Sequence, residues 1–141
     1  MGSFIIEGGK QLKGEITPQG AKNEVLQILC AVLLTPERIT IHNIPEIIDV
    51  KKLIQLLLNF GVKVEQISSG SYHFRADEID LDYLTSEQYK IDGRGLRGSI
   101  MLVGPLLARF GKGSIPSPGG DKIGRRRLDT HFEGLINLGA K

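Results

Sequence analysis

The sequence predicts an α/β fold in which helices lie inside and strands with one solvent-facing side lie outside. From Val25 to Leu34 every residue except Gln27 is apolar, and a helix that is apolar on all sides is expected to be buried all round. The predicted strands alternate instead, as Ile39–His42 does, so each should expose one face. A doubly wound parallel sheet shows the reverse arrangement, with continuous apolar strands covered by amphipathic helices.

The first part of the chain contains the pattern strand, helix, strand, helix, strand, strand. Asp49 is a plausible N-cap for the second helix, and Gly61 stands where a helix C-terminal glycine belongs. We predict strands over Phe4–Glu7 and Lys13–Ile16, a turn at Thr17–Gly20, a helix over Ala21–Leu34, a strand over Ile39–His42, a helix over Val50–Phe60, and strands over Val62–Glu65 and Tyr72–Arg75 around a turn at Ser68–Gly70.

The same pattern then recurs as an internal repeat. Leu33-Leu34 corresponds to Leu106-Leu107, and Phe60-Gly61 corresponds to Leu138-Gly139. The second copy has about five extra residues, which fit in the loop Pro116–Gly124, and a loop lengthened in one copy is a frequent place for function. We predict a helix over Ser99–Ala108 with a candidate kink at Pro105, a strand over Lys112–Ile115 and a helix over Asp129–Leu138.

The second copy reaches only Lys141, two residues beyond its helix-ending glycine. The first copy continues at this point into a strand pair. We therefore expect the chain to be a fragment of a longer protein.

The composition is that of a globular domain, with 40% hydrophobic and 24% charged residues and a net charge of +2. This charge is too small to indicate a nucleic-acid or membrane partner, and no apolar run is long enough to span a bilayer. A single cysteine, Cys30, fits a reducing compartment, so we expect a cytoplasmic protein. The three histidines lack metal-ligand spacing, and neither a metal nor a cofactor is predicted.

Lys22 stands at the start of the first apolar helix, in Gly20-Ala21-Lys22-Asn23. A helix N-terminus attracts anions, and a lysine there adds a point charge suited to phosphate or carboxylate. The alternative is a solvated first-turn lysine. We favour an anion site, because such a lysine opposes the helix dipole unless an anion compensates it. Arg97 has a similar placement before the second apolar helix.

The second basic cluster runs from Gly119 to Arg127 and contains Asp121 beside three consecutive arginines. Arginine side chains recognise phosphate and carboxylate through paired N–H groups. From these residues alone, a solvated basic turn with a local Asp–Arg pair is the favoured interpretation. A nucleic-acid patch is a further alternative, although no aromatic residues for base stacking are interleaved with the arginines. Cys30 lies among apolar residues and is interpreted as core packing.

Three motifs together resemble the enolpyruvyl transferase family. The resemblance runs the whole length of the chain, with the motifs in the family's order. They are Gln19-Gly-Ala-Lys22-Asn23 before an apolar helix, Leu96-Arg97-Gly-Ser-Ile before Gly104-Pro105-Leu-Leu-Ala-Arg-Phe-Gly111, and Pro118-Gly-Gly-Asp-x-Ile-Gly-x-Arg126 with Asp129-x-His131.

The resemblance implies an inside-out α/β barrel of βαβαββ repeats, with buried helices and outer sheets. Residues 1–21 would pack with a C-terminal domain that lies beyond this chain, and residues 22–141 would form about two of the three repeats of the first domain. The implied reaction transfers the enolpyruvyl group of phosphoenolpyruvate to the 3-hydroxyl of UDP-N-acetylglucosamine, with release of phosphate, at the start of peptidoglycan synthesis.

The resemblance also implies roles for particular residues. Lys22 and Arg126 would bind phosphoenolpyruvate, and Asp121 would take the position of the proton donor, where many members carry a cysteine and some an aspartate. Arg127 replaces a frequent proline, and Arg125 is a further unusual cation. The residues expected to hold the UDP-sugar are Asn23, Arg97, Arg126, Arg127, Leu128, Asp129 and Thr130.

Two alternative functions remain open from the sequence. The first is 5-enolpyruvylshikimate-3-phosphate synthase, which has the same architecture but favours a lysine-serine turn where this chain has Lys22-Asn23. The second is a basic nucleic-acid-binding module resting on Arg125–Arg127. A chain limited to these 141 residues should be inactive, and its exposed apolar surface should lead to self-association.

Overall fold

The computed structural model describes residues 3–116 and 127–140. Its α/β architecture agrees with the predicted class, and the described strands form a three-stranded antiparallel sheet in the order β1-β3-β2. The helices are α1 (Lys22–Ala31), α2 (Ile48–Asn59), α3 (Glu87–Arg94), α4 (Val103–Phe110) and α5 (Asp129–Asn137), the strands are β1 (Arg38–Ile41), β2 (Lys63–Ser68) and β3 (Ser71–Arg75), and 3-10 turns cover Val32–Leu34, Asp82–Thr85 and Arg97–Leu102.

The first copy of the repeat forms as the sequence predicts from α1 to β3. Strands β2 and β3 form a hairpin whose tight turn places Gly70 at a φ of 68°, a conformation that glycine adopts without strain. Gly61 follows α2 with a φ of 93°, which confirms its predicted place after the helix. The end of the helix and the turn of the hairpin therefore both depend on glycine.

The core lies between the apolar faces of α1 and α2 and the inner face of the sheet. Leu29, Leu53, Leu57 and Phe74 are all fully buried within it. Because a strand alternates its faces, the residues that flank Phe74 on β3 point away from the core. These contacts confirm the prediction of a sheet with one solvent-facing side.

The prediction that the first helix is buried on all sides is only partly right. Val25, Leu26, Leu29 and Cys30 are buried, but Ile28 is 42% exposed. A wholly apolar helix needs partners on every side, and the described residues cover the side that carries Ile28 only in part.

The second copy of the repeat departs from the prediction in two ways. The predicted strand at Lys112–Ile115 has no strand pairing, and α5 has no buried residue. The predicted helix Ser99–Ala108 is a 3-10 turn that continues into α4, so Pro105 lies in the first turn of α4. The N–H groups in the first turn of a helix have no partner within that helix, so a proline there costs α4 no hydrogen bond of its own.

Helix α3 was not predicted from the sequence. It begins at an N-cap, Ser86, whose side chain accepts a hydrogen bond from the Tyr89 N–H, and it buries Tyr89 against Phe60 with ring centroids 5.3 Å apart. Most of its residues are polar, so its apolar periodicity is weak. Tertiary packing of one aromatic side chain therefore matters more here than the pattern.

The two N-terminal strands predicted at Phe4–Glu7 and Lys13–Ile16 are absent from the described chain. Phe4 is 96% exposed and Leu12 is 93% exposed. An isolated pair of short strands is marginally stable in water, and no other described element packs on this segment. The prediction of these two strands is therefore wrong for the described chain.

Arg109 joins the two copies of the repeat. Its guanidinium Nη1 donates to the carbonyl of Leu33 at 3.0 Å and to that of Ala76 at 2.8 Å. One side chain of α4 thus satisfies carbonyl groups at the ends of α1 and β3. In the described part of the chain, no helix is long and apolar enough to cross a membrane.

Candidate active site

A cleft of about 410 Å³ lies where the N-terminus of α1 meets the 3-10 turn Arg97–Leu102. The two predicted cations Lys22 and Arg97 both line it, together with Asn23. They are 75 positions apart in the sequence. They come together because the first helical element of each copy begins at this cleft, α1 at Lys22 and the 3-10 turn at Arg97. Leu26, Gln27, Asp49, Gly95, Leu96, Gly98, Ile100 and Met101 complete the lining.

Two glycines allow the backbone to form this cleft. A Cβ at Gly20 would overlap the carbonyl oxygen of Asn43, and a Cβ at Gly98 would lie 3.3 Å from the side chain of Leu26. Gly20 therefore lets the chain enter α1 directly against the loop that follows β1. Gly98 allows the second copy to approach α1 closely.

The anion that compensates Lys22 is Asp49 of the same chain. The Lys22 Nζ donates to Asp49 Oδ2 at 3.0 Å. The prediction of Asp49 as an N-cap is wrong, because Ile47 occupies that position and no side chain caps the helix. Asp49 lies instead in the first turn of α2, where its charge is favourable to the helix dipole and its side chain reaches the cleft.

Arg97 is half-buried and forms no ion pair within residues 3–116 and 127–140. Asn23, one position after Lys22, is exposed and offers an amide with both donor and acceptor atoms. The cleft is thus lined by two cations, one carboxylate and two amides, those of Asn23 and Gln27. Such a set suits a ligand with more than one negative charge and several hydroxyl or carbonyl groups.

The residues predicted near the start of α5 lie apart from this cleft. The Arg127 Nε forms an ion pair with Asp129 Oδ2 at 2.6 Å, on an exposed surface. Leu128 is half-buried just before α5. Thr130 lines a second, mostly apolar cavity of about 390 Å³, which shares Ile100 and Met101 with the cleft. The 3-10 turn therefore separates the two cavities.

Asp121 and Arg126 lie outside the described residues, as do Lys122 and Arg125. The structure describes the chain up to Pro116, which is buried. A Cβ at Gly93 would overlap the Pro116 ring, and the Tyr89 hydroxyl donates to the Ser114 carbonyl at 2.8 Å. Helix α3 thus fixes the last described residues before Asp121.

Cys30 is buried and unpaired, as expected for core packing. Burial raises the pKa of its thiol to about 12, because a thiolate would lose its hydration. A thiol of this kind is a poor nucleophile at neutral pH. Among the described residues there is also no cluster of side chains able to hold a metal ion.

Sequence reasoning missed Asp49, Tyr89 and Gly93 as residues that shape or border the site. Asp49 was noticed only as a candidate N-cap for the second helix. Its pairing with Lys22 depends on a contact across 27 positions, which no local pattern contains. Tyr89 and Gly93 belong to the unpredicted helix α3, so they gave no signal either.

Comparison with known proteins identifies the family of the chain. The sequence profile of the family described as EPSP synthase (3-phosphoshikimate 1-carboxyvinyltransferase) matches residues 6–141. The chain belongs to this family, which confirms the resemblance drawn from the three motifs.

Within that family the chain is similar to proteins named UDP-N-acetylglucosamine 1-carboxyvinyltransferase. It is 61% identical to the one from Bacteroides fragilis and 60% identical to the one from Bacteroides thetaiotaomicron, in each case over 140 residues and 99% of this chain. Identity to the Porphyromonas gingivalis protein is 57% over the same length. The chain spans about a third of the length of these relatives, 32% in each case.

Proposed function

We propose that this chain is part of an enzyme that transfers the enolpyruvyl group of phosphoenolpyruvate to the 3-hydroxyl of UDP-N-acetylglucosamine. The observation that carries the proposal is the convergence of Lys22, Asn23 and Arg97 on one cleft. The names of the similar proteins support the choice of substrates. Peptidoglycan synthesis is the process in which such a product is used.

The reaction needs three things from the protein. Cations must bind the phosphate and carboxylate of phosphoenolpyruvate, an acid must protonate its carbon 3, and the sugar 3-hydroxyl must be held against carbon 2. Addition of the hydroxyl gives a tetrahedral adduct while carbon 3 gains a proton. The adduct then loses one proton from this carbon 3 methyl group, together with inorganic phosphate from carbon 2, to leave the enolpyruvyl ether.

We assign these tasks to residues as the family resemblance suggests. Lys22 and Arg126 bind phosphoenolpyruvate, and Asp121 supplies the proton. Asn23, Arg97 and the stretch 126–130 hold the UDP-sugar. The position of Lys22 and Arg97 on the cleft supports their part of this assignment, whereas Thr130 lines the neighbouring cavity and reaches a ligand only if that ligand extends past Ile100 and Met101.

The proposed architecture is an inside-out barrel in which residues 22–141 supply about two of three repeats. The exposed apolar residues of α5 support it, because Ile136 is 62% exposed and Leu138 is 86% exposed. Residues 1–21 would pack on a second domain, and the exposure of Phe4 and Leu12 supports this. A chain limited to 141 residues is therefore expected to be inactive and to self-associate, which sedimentation at increasing concentration can test.

A phosphate-release assay on the longer protein tests the activity. We expect release with phosphoenolpyruvate and UDP-N-acetylglucosamine together and none with either alone. Release with shikimate 3-phosphate as acceptor, and none with the UDP-sugar, would overturn the proposal in favour of the shikimate enzyme. The Lys22→Ala variant should lose nearly all release if the cleft is the site.

The role of Asp121 has its own test. Asp121→Ala should lose most of the activity, whereas Asp121→Cys should stay active. Asp121→Cys should also become sensitive to epoxides of the fosfomycin type, which alkylate the loop cysteine of other family members, because a thiolate is a much better nucleophile than a carboxylate. Near-full turnover by Asp121→Ala would leave Asp121 as no more than part of a local ion pair.

A further inference from the structure

Asp49 contributes the one carboxylate among the described residues that line the cleft. It binds the Lys22 ammonium, the cation assigned above to the substrate, at 3.0 Å. The cleft therefore already contains an anion that belongs to the protein, the Asp49 carboxylate. A phosphate group that enters the cleft meets Lys22 already paired with it.

Both side chains of the Lys22–Asp49 pair are exposed to solvent. The Lys22 side chain is 49% exposed and that of Asp49 is 41% exposed, and such pairs contribute little to stability. Asp77 shows the contrast, since its side chain is 19% exposed and lies 3.0 Å from Lys63 and 3.1 Å from Arg75. Asp77 is held by two cations, whereas Asp49 is held by one and can be displaced.

We propose that Asp49 is an internal competitor that occupies the Lys22 ammonium until a phosphate-bearing ligand displaces it. The proposal rests on the function proposed above and adds a residue to it. A dianionic phosphate has to take Lys22 from Asp49 and then lie close to the displaced carboxylate, which repels it. Asp49 therefore weakens phosphate binding and favours the release of phosphate as a product.

The simplest competing explanation is that Asp49 only stabilises α2. An acidic residue in the first turn of a helix interacts favourably with the helix dipole, and this role predicts lower stability for Asp49→Asn with no gain in phosphate affinity. The competitor role predicts that affinity increases. The two explanations therefore differ in the sign of a measurable change.

The experiment is a titration of the 141-residue chain with inorganic phosphate, followed by ¹H–¹⁵N NMR at the amides of Asn23 and Gly98. We expect Asp49→Asn to bind phosphate about 3- to 10-fold more tightly than the unmodified chain at low ionic strength. The difference should shrink at about 0.5 M salt, where charges on a solvated surface are screened. Asp49→Ser provides a second variant if Asp49→Asn does not fold.

Two controls isolate the effect. Glu87→Gln removes a carboxylate that also pairs with one lysine, Lys90, at 2.6 Å, but does not line the cleft, so phosphate affinity should not change. In a Lys22→Gln background, Asp49→Asn should give a clearly smaller gain, because only the direct repulsion between carboxylate and phosphate is then removed. An equal gain in that background, or no gain or weaker binding in the Lys22 chain, would overturn the proposal.

The outcome is separable from that of the proposed function. If phosphate binding tightens in Asp49→Asn through Lys22 while the longer protein shows no turnover, the competitor role stands and the assigned reaction fails. If turnover occurs and Asp49→Asn binds phosphate no more tightly, the reaction stands and the role given to Asp49 fails.

Discussion

Helix α2 of the first repeat packs beneath a three-stranded sheet, whereas its counterpart α5 in the second repeat has no buried residue. The helices that come first in each copy behave alike. Leu29 and Leu33 of the first copy and their equivalents Leu102 and Leu106 in the second are all fully buried. The two copies therefore share their inner halves and differ in their outer halves.

The difference shows what an amphipathic helix in this fold requires. Inner helices bury their apolar residues against each other, as α1 and the Arg97–Leu102 turn do around Leu26 and Gly98. An outer helix has one apolar stripe, which needs a sheet or another layer to cover it. In the first copy, β1 to β3 provide this cover, and in the described part of the second copy no strand does.

The largest expected effect is on stability, at one pair of equivalent positions that follow α2 and α5. Phe60 is fully buried, but its counterpart Leu138 is 86% exposed. Phe60→Ala should lower the free energy of unfolding by about 3–5 kcal/mol, the usual cost of emptying an aromatic site in a core. Leu138→Ala should change it by no more than about 0.5 kcal/mol.

Urea unfolding followed by far-ultraviolet circular dichroism measures both changes. Equal losses for the two variants would mean that α5 is packed as firmly as α2, and the comparison would fail. If Leu138→Ala also reduces self-association, the exposed face of α5 is one of the surfaces through which copies of the chain meet.

The second prediction concerns the joint between the two copies. Arg109→Ala removes the two hydrogen bonds to the carbonyls of Leu33 and Ala76 and should cost about 2 kcal/mol, since each bond has a charged donor. Both bonds come from one nitrogen, Nη1, and a lysine side chain reaches one atom less far, so Arg109→Lys keeps the charge but should recover only part of the loss. Full recovery with lysine would show that charge alone matters.

Much of the first repeat could be predicted from the sequence, because its pattern and its contacts agree. The apolar run of α1, the periodicity of α2 and the glycines after α2 and in the hairpin all specify local structure that tertiary packing reinforces. At the candidate site, Lys22, Asn23 and Arg97 were predicted from their places at helix starts and from the family motifs, and the structure brings them to one cleft.

The remaining features depend on contacts that a local pattern does not contain. Helix α3 is stabilised by Tyr89 and by the Ser86 cap, within a mostly polar segment. Asp49 reaches the site because α1 and α2 pack together, and Arg109 appeared in sequence as an ordinary residue of a family motif. The N-terminal segment and the predicted Lys112–Ile115 strand have no described partner to pair with, and short strands are not stable without one.

The third prediction compares the two glycines that end the outer helices. Gly61 and Gly139 have similar φ values of 93° and 100°. An alanine at either position should cost about 1–2 kcal/mol in backbone strain. At Gly61 the new Cβ would also lie 2.6 Å from the Glu78 carbonyl oxygen, whereas nothing lies within 4 Å at Gly139. Gly61→Ala should therefore be the more destabilising by about 1 kcal/mol in urea unfolding, and an equal cost would show that the strand beyond Gly61 yields without penalty.

The smallest expected effect concerns Cys30 and its equivalent in the second copy, Val103, which are both buried. The Cys30→Val substitution gives α1 the residue that α4 has at the equivalent position. At pH 7 the free energy of unfolding should therefore change by less than about 1 kcal/mol.

At alkaline pH the free energies of unfolding of the unmodified chain and of Cys30→Val should differ. Burial raises the pKa of Cys30 from 9.0 to about 12, and a pKa raised in the folded state contributes stability below the unfolded pKa that is lost as pH rises towards the folded one. The unmodified chain should lose about 1 kcal/mol more than Cys30→Val between pH 8 and pH 10, at a limiting slope of about 1.4 kcal/mol per pH unit. Burial also raises the pKa of Tyr83 from 10.0 to about 12, but both chains contain this phenol, so its contribution cancels in the comparison. Parallel losses in the two chains would mean that the Cys30 thiol ionises in the folded protein as readily as in the unfolded one, and that the inner helix is more open to water than its counterpart around Val103.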